Sequence, residues 1–161
     1  GYEKIIEENS VPMFGDYAQV KAAVMAVKAQ VDSVCDIQNV PCHNDPLCEN
    51  WVVSADDDRL YLIDWEYAGM QDPHVDIAMF CIYSLYNKRQ IDRLISIYLD
   101  GDCPNETRVK IYCYIAACGL LWSNWCEYKR SLGVEFGEYS LRQYRFAKEY
   151  YRIASEEIKK L

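Results

Sequence analysis

With 161 residues, 51% of them hydrophobic and 14% aromatic, the chain has the material for one domain with a substantial core, which excludes a disordered polypeptide. A formal net charge of −8 excludes a nucleic-acid-binding face, which needs a basic excess, and favours a cationic ligand in a general way. Eight cysteines form no C-x-x-C pair and only two histidines accompany them, so zinc is disfavoured and free thiols in a reducing cytoplasm are expected.

No basic-then-apolar leader opens the chain at Gly1-Tyr2-Glu3-Lys4, and the longest apolar run, Ile111 to Trp122, is too short to span a membrane. A soluble cytoplasmic protein is expected, without membrane or nucleic-acid partners. In chain order, residues 1–15 read as an irregular entry with a helical turn at Glu3–Glu8. Asp16 then offers an N-cap to an amphipathic helix over Tyr17–Cys35, with Val20, Val24, Val27, Val31 and Val34 on its apolar face. Ile37–Cys42 is a short extended run, since Pro41 forbids a helix. Trp51-Val52-Val53-Ser54 and Leu60-Tyr61-Leu62-Ile63 flank a polar turn and predict a hairpin.

Gly69–Asp72 reads as a turn, and Pro73 opens a helix running to about Tyr86. A second amphipathic helix spans Lys88–Leu99, with Ile91, Leu94, Ile95 and Tyr98 inward. Asn105 offers a cap to a long helix over Glu106–Ser131, apolar nearly all round and therefore central. Gly133 ends it. The chain closes with an amphipathic helix over Glu138–Lys160, with Leu141, Tyr144, Tyr151, Ala154 and Ile158 inward. The fold class is therefore α+β and mostly helical, one domain over residues 1–161 with a small β-hairpin.

The chemistry-bearing stretch is His43-Asn44-Asp45-Pro46-Leu47-Cys48-Glu49-Asn50, answered by Ile63-Asp64-Trp65-Glu66-Tyr67-Ala68-Gly69. Phosphoryl transfer from a nucleotide needs a carboxylate beside the acceptor hydroxyl and oxygen-bearing side chains on Mg²⁺. Asp45 suits the first role, and Asn50 with Asp64 the second, because the hairpin returns both to one end and hard oxygens suit Mg²⁺. Each residue alone reads equally well as turn chemistry. Their pairing carries the signal.

These two blocks resemble the catalytic and metal-binding loops of the protein-kinase-like small-molecule kinases, and their wording is most similar to the choline/ethanolamine kinases, especially the bacterial choline kinases. The resemblance implies the C-terminal lobe of the protein-kinase-like fold, with ATP as co-substrate and phosphocholine as product. It implies Asp45 as the catalytic carboxylate and Glu66 as a further metal contact. His43 and Asp76 become structural supports, His43 through a main-chain carbonyl and Asp76 by accepting main-chain N–H groups.

Trp122 and Trp125 lie three apart and share a helix face. A quaternary ammonium is best held by aromatic faces, and the segment is similar to the W-x-x-W of the family's choline pocket. Tyr83 and Tyr86 are candidates for further walls. Aromatic pairs on a buried helix also serve as ordinary core.

No G-x-G-x-x-G can be made from the seven glycines, and the roughly forty residues before His43 read as one helix. The expectation is a lobe lacking the N-terminal ATP-binding half, negligibly active by itself and able to self-associate through the exposed lobe face. Ethanolamine or an aminoglycoside as acceptor, and a catalytically silent choline-binding or regulatory lobe, are the competing readings.

Overall fold

The computed structural model describes residues 2–161. Its elements are α1 (Tyr2–Glu8), α2 (Tyr17–Val34), β1 (Val40–Cys42), a 3₁₀ turn (Cys48–Asn50), β2 (Trp51–Val53) and β3 (Leu60–Leu62). After these come β4 (Gly69–Gln71), α3 (His74–Tyr83), α4 (Lys88–Tyr98), α5 (Asn105–Ser131), α6 (Tyr139–Glu157) and a closing 3₁₀ turn (Ile158–Lys160). The architecture is mostly helical with two small antiparallel sheets, the lobe architecture of the protein-kinase-like fold.

Helix α5 is the axis. Fifteen of its residues are buried, among them an unbroken run from Val109 to Ala116, because α2, α3 and α6 cover it from different sides. Gly119 is where α6 comes closest: a Cβ there would sit 2.8 Å from the Gln143 carbonyl oxygen and 2.9 Å from Phe146 Cβ. Only a residue without a side chain permits that approach. On α2, Val20, Val24, Val27 and Val31 are buried at helical spacing. Val34 is 53% exposed, against expectation, because the helix ends there and the chain turns away toward β1.

The strands form two pairs. β2 pairs with β3 in the register Trp51↔Leu62, Val52↔Tyr61 and Val53↔Leu60. β1 pairs with β4, joining Val40 to Gln71 and Cys42 to Gly69. Residues 69–71, expected as a turn, are thus a strand, because β1 supplies a partner thirty residues upstream in sequence.

Other local expectations are corrected by tertiary partners. Asp16 makes no cap bond; its carboxylate accepts from the Tyr144 hydroxyl and the Lys148 ammonium instead, tying the start of α2 to α6. Asn105 is the first residue of α5 and its side chain caps nothing. The true side-chain cap is at Asn87, which with Gln90 forms a reciprocal capping box at the start of α4. Helix α3 stops at Tyr83, short of Tyr86. Leu85 takes a φ of 51°, and the Tyr86 N–H returns to the Cys81 carbonyl, a Schellman closure. Tyr98 and Leu141 point outward, at 45% and 39% exposure.

All eight cysteines are free thiols. Among the described residues no helix is long and apolar enough to cross a membrane.

Candidate active site

The loop after β1 is held by its own main chain and three side chains. Asn44 lies at φ 63°, a left-handed conformation that asparagine tolerates, and this points its N–H and that of His43 the same way. Both are accepted by the Asp76 carboxylate in the first turn of α3, at 2.8 Å from His43 and 2.7 Å from Asn44. A carboxylate at a helix N-terminus is also favoured by the helix dipole.

The buried His43 ring accepts the Asp45 N–H on Nδ1 at 3.2 Å, which leaves Nε2 to donate to the Ile63 carbonyl at 2.8 Å. His43 therefore stitches this loop to the segment after β3, with Trp65 edge-on against it at 4.8 Å. Asn44 adds a second stitch, donating from Nδ2 to the Tyr67 carbonyl at 3.0 Å.

Asp45 is buried, and its Oδ1 accepts from the Tyr83 hydroxyl at 2.7 Å. Among the described residues nothing donates to Oδ2. Asn50 donates from Nδ2 to the main-chain oxygen of Asp45 at 2.9 Å, leaving its own Oδ1 uncommitted. The Ile63 N–H bonds the Asn50 carbonyl at 2.9 Å, one step beyond the β2–β3 ladder, so Asn50 and Asp64 do lie at the same end of the hairpin. Asp64 is exposed, sits at φ 63°, and has neither hydrogen-bond nor ion-pair partner among the described residues. Glu66 is exposed on the same segment.

Asn50 and Asp64 offer hard oxygens at one end of the hairpin, the donor type that suits a Mg²⁺ shared with phosphate, and among the described residues no cluster of three His, Cys, Asp or Glu forms a closed protein cage.

On α5, the Trp122 and Trp125 rings stack with centroids 5.2 Å apart and 11° between planes. Lys129 already lies over the Trp125 ring at 5.7 Å, evidence that this indole accommodates a cation. Both tryptophans line a cavity of about 660 Å³ that Asp45 and Glu66 also line. The remaining walls include Tyr2, Tyr67, Tyr114, Met79 and Leu121, with Asn44 and Lys28 at polar positions.

Tyr83 and Tyr86, expected as walls, lie elsewhere. Tyr83 stands behind the cavity, edge-on to Trp122 at 5.1 Å. Tyr86 packs on Phe80 and borders a separate small cavity with Arg142 and Glu149.

Sequence reasoning passed over Tyr114, Tyr67 and Tyr2. Tyr114 was within reach: positions 114, 118, 121 and 125 continue one face of α5 back from the tryptophans, and all four line the cavity. Tyr67 lies inside the W-E-Y-A-G run itself. Its hydroxyl is pushed above the ordinary tyrosine value, chiefly by the Glu66 carboxylate. Nothing local marks Tyr2, which reaches the cavity only because α1 packs along α5 and its ring meets Tyr128.

A kinase-like lobe whose loops pair an H-N-D-x-x-x-x-N segment with an I-D-x-E segment is the class defined by this fold and geometry. Residues 11–112 match the phosphotransferase enzyme family, and the chain belongs to it. The protein LicA of Haemophilus influenzae is 35% identical over 116 residues, covering 67% of this chain and 33% of LicA. The choline kinase LicA of Streptococcus pneumoniae superposes with a TM-score of 0.76 at 30% identity, covering 94% of this chain and 52% of that one. A LicA structure in complex with AMP superposes with a TM-score of 0.73 at 28% identity, covering 95% and 54%. The chain spans about a third of this curated relative's length and about half of the two solved structures.

Proposed function

We propose that these 161 residues form the catalytic and acceptor-binding lobe of an ATP-dependent kinase that phosphorylates the hydroxyl of choline. The observation that carries this reading is that one cavity is bordered both by the Asp45 carboxylate and by the stacked Trp122–Trp125 pair. A trimethylammonium group offers no hydrogen bond and is best held by ring faces, with Tyr67 and Tyr114 adding walls and Glu66 adding negative charge. The hydroxyl end then points toward Asp45 Oδ2.

Asp45 takes the hydroxyl proton as the oxygen bonds to the γ-phosphorus. The bond to the bridging oxygen breaks, and its electron pair leaves with ADP. Asn50 Oδ1 and Asp64, with Glu66 beside them, are the residues that would hold Mg²⁺. Bound there, the ion supplies charge neutralisation on the phosphate oxygens. The reading treats residues 1–161 as one domain and assigns the phosphate-clamping loop and lysine to sequence outside it, since the matched stretch covers only about a third to a half of the relatives' length and no glycine-rich loop occurs here.

The test is phosphate transfer from Mg·ATP by the polypeptide in its full natural length, with choline, ethanolamine and an aminoglycoside as acceptors. Choline turnover that Asp45→Asn lowers by about 10²–10⁴ is the expected result. Turnover confined to another acceptor removes the cage assignment. Choline binding without any transfer leaves a silent binding lobe and removes the enzyme.

A further inference from the structure

Tyr83 is not a wall of the cavity, yet it touches both halves of the site. Its hydroxyl donates to Asp45 Oδ1 at 2.7 Å, and its ring meets Trp122 edge-on at 5.1 Å. It occupies the last residue of α3, just before the Schellman closure at Leu85, so its backbone is anchored on both sides. Burial, then the facing Asp45 carboxylate, push its hydroxyl well above the ordinary tyrosine value, so it remains a donor throughout the working pH range. Asp45 is otherwise held only through its main chain: its N–H by His43, its carbonyl by Asn50 and by the Leu47 N–H. The Tyr83 hydroxyl is thus the one donor, among the described residues, that fixes the rotation of the carboxylate.

We propose that Tyr83 is a positioning residue that locks the Asp45 carboxylate with Oδ1 turned away and Oδ2 presented to the acceptor hydroxyl, in register with the tryptophan that holds the acceptor's other end. The inference rests on the acceptor site described above. A freely rotating carboxylate would present its oxygens in the reactive direction only part of the time, and orientation is a large share of what such an enzyme supplies. The same ring braces Trp122, so one side chain touches both the carboxylate and the tryptophan pair.

Tyr83→Phe tests this in the full-length natural polypeptide, because it removes the hydroxyl and keeps the ring against Trp122. The expected result is a kcat lower by about tenfold, with the KM for choline within about twofold of wild type. On an Asp45→Asn background the same substitution should change the residual rate by less than about twofold, since a residue acting through Asp45 has nothing left to orient. A merely structural tyrosine would lower both backgrounds alike. Trp122→Leu, by contrast, should act mainly on KM.

An unchanged kcat in Tyr83→Phe overturns the proposal, as does a raised KM with kcat intact, which would make Tyr83 a wall after all. An equal loss on both backgrounds overturns it too. A wild-type polypeptide that transfers phosphate to no acceptor removes the underlying reading, and the positioning role falls with it.

Discussion

The two halves of this molecule are built on different physics. The helical half, α2, α5 and α6, is set by apolar burial and close approach, with large side chains such as Ile111, Ile115 and Tyr150 almost completely enclosed. The strand-and-loop half, from β1 to the start of α3, is set by hydrogen bonds to its main chain from Asp76, His43 and Asn44. It leaves Val53, Leu60, Tyr67 and Met70 about 60% exposed. In the function proposed above, the first half supplies recognition through the tryptophans of α5 and the second supplies the reactive oxygens. A functional site placed at such a seam gains a rigid wall on one side and oriented polar groups on the other.

The sharpest way to break this arrangement is to cut the bolt between the halves. Lys110 of α5 donates to Asp72 just after β4 at 2.8 Å and to the Asp36 carbonyl at 2.7 Å, with both side chains almost fully enclosed. Asp72 also accepts from the Gln38 N–H and from His74. Removing one partner of a buried pair leaves an uncompensated charge. Lys110→Met should therefore lower stability by about 3–5 kcal/mol, read from urea unfolding. A loss under about 1 kcal/mol would mean that the halves are held together some other way.

Gly119→Ala probes the helical half alone. The added methyl meets the α6 main chain and Phe146 at distances no Cβ occupies, so α5 and α6 must part, at a cost of about 1–3 kcal/mol. The catalytic loop lies outside that contact. In the full-length natural polypeptide, the transfer activity proposed above should be retained per folded molecule at temperatures where the variant is folded, apart from any shift of the tryptophans.

Acid sharpens the contrast further. Burial raises the Asp72 carboxyl, but the donors from Lys110, His74 and Gln38 outweigh it, so its folded-state value lies below the ordinary 3.8. A depressed carboxylate contributes stability that is complete above its unfolded value and is lost as pH falls through and below it. This group should therefore cost the protein nothing between about pH 7 and pH 5, and should begin to drain stability below about pH 4. In Lys110→Met that acid loss should be shallower, because the principal donor is gone. Equal acid slopes in the two proteins would remove Asp72 as the sensitive group.

How much of this was legible in the sequence follows the same division. Helices α2, α4, α5 and α6 announce themselves through apolar periodicity, because burial on one face writes its pattern into the residues themselves. The β2–β3 hairpin was legible because its turn is local, and it carries Asn50 and Asp64 to one end without further help. β4 was not: three residues become a strand only because β1 pairs with them across the intervening hairpin.

Asp16 and Asn105 are ordinary cap residues by composition, yet in the fold Asp16 is claimed by Tyr144 and Lys148 and Asn105 is drawn into the helix. The frame around Asp45 is readable as a set of residue types, but the sequence marks Tyr83 only as a candidate wall. Whether a tyrosine lines a cavity or stands behind it depends on where its hydroxyl finds a partner, and no spacing rule encodes that.

The smallest effect, and the most direct reading of the two halves, comes from the thiols. Burial pushes Cys81 of α3 and Cys113, Cys118 and Cys126 of α5 up to about 12, so thiolate is scarce there as well as inaccessible. Cys35 and Cys42 are buried and raised too, whereas Cys48 in the loop half is exposed and Cys103 is partly so. Titration of the native protein with an aromatic disulfide reagent at about pH 8 should show one fast thiol, a slower second, and six that react only on opening. Cys48→Ser should abolish the fast phase while leaving the slow ones untouched. The slow thiols of α5 then report how often the helical half opens, and Lys110→Met should speed them without altering Cys48. Should the α5 cysteines react as fast as Cys48 in the intact protein, the helical half would be no more rigid than the loops it supports, and the tryptophan pair could not serve as the fixed wall of the site.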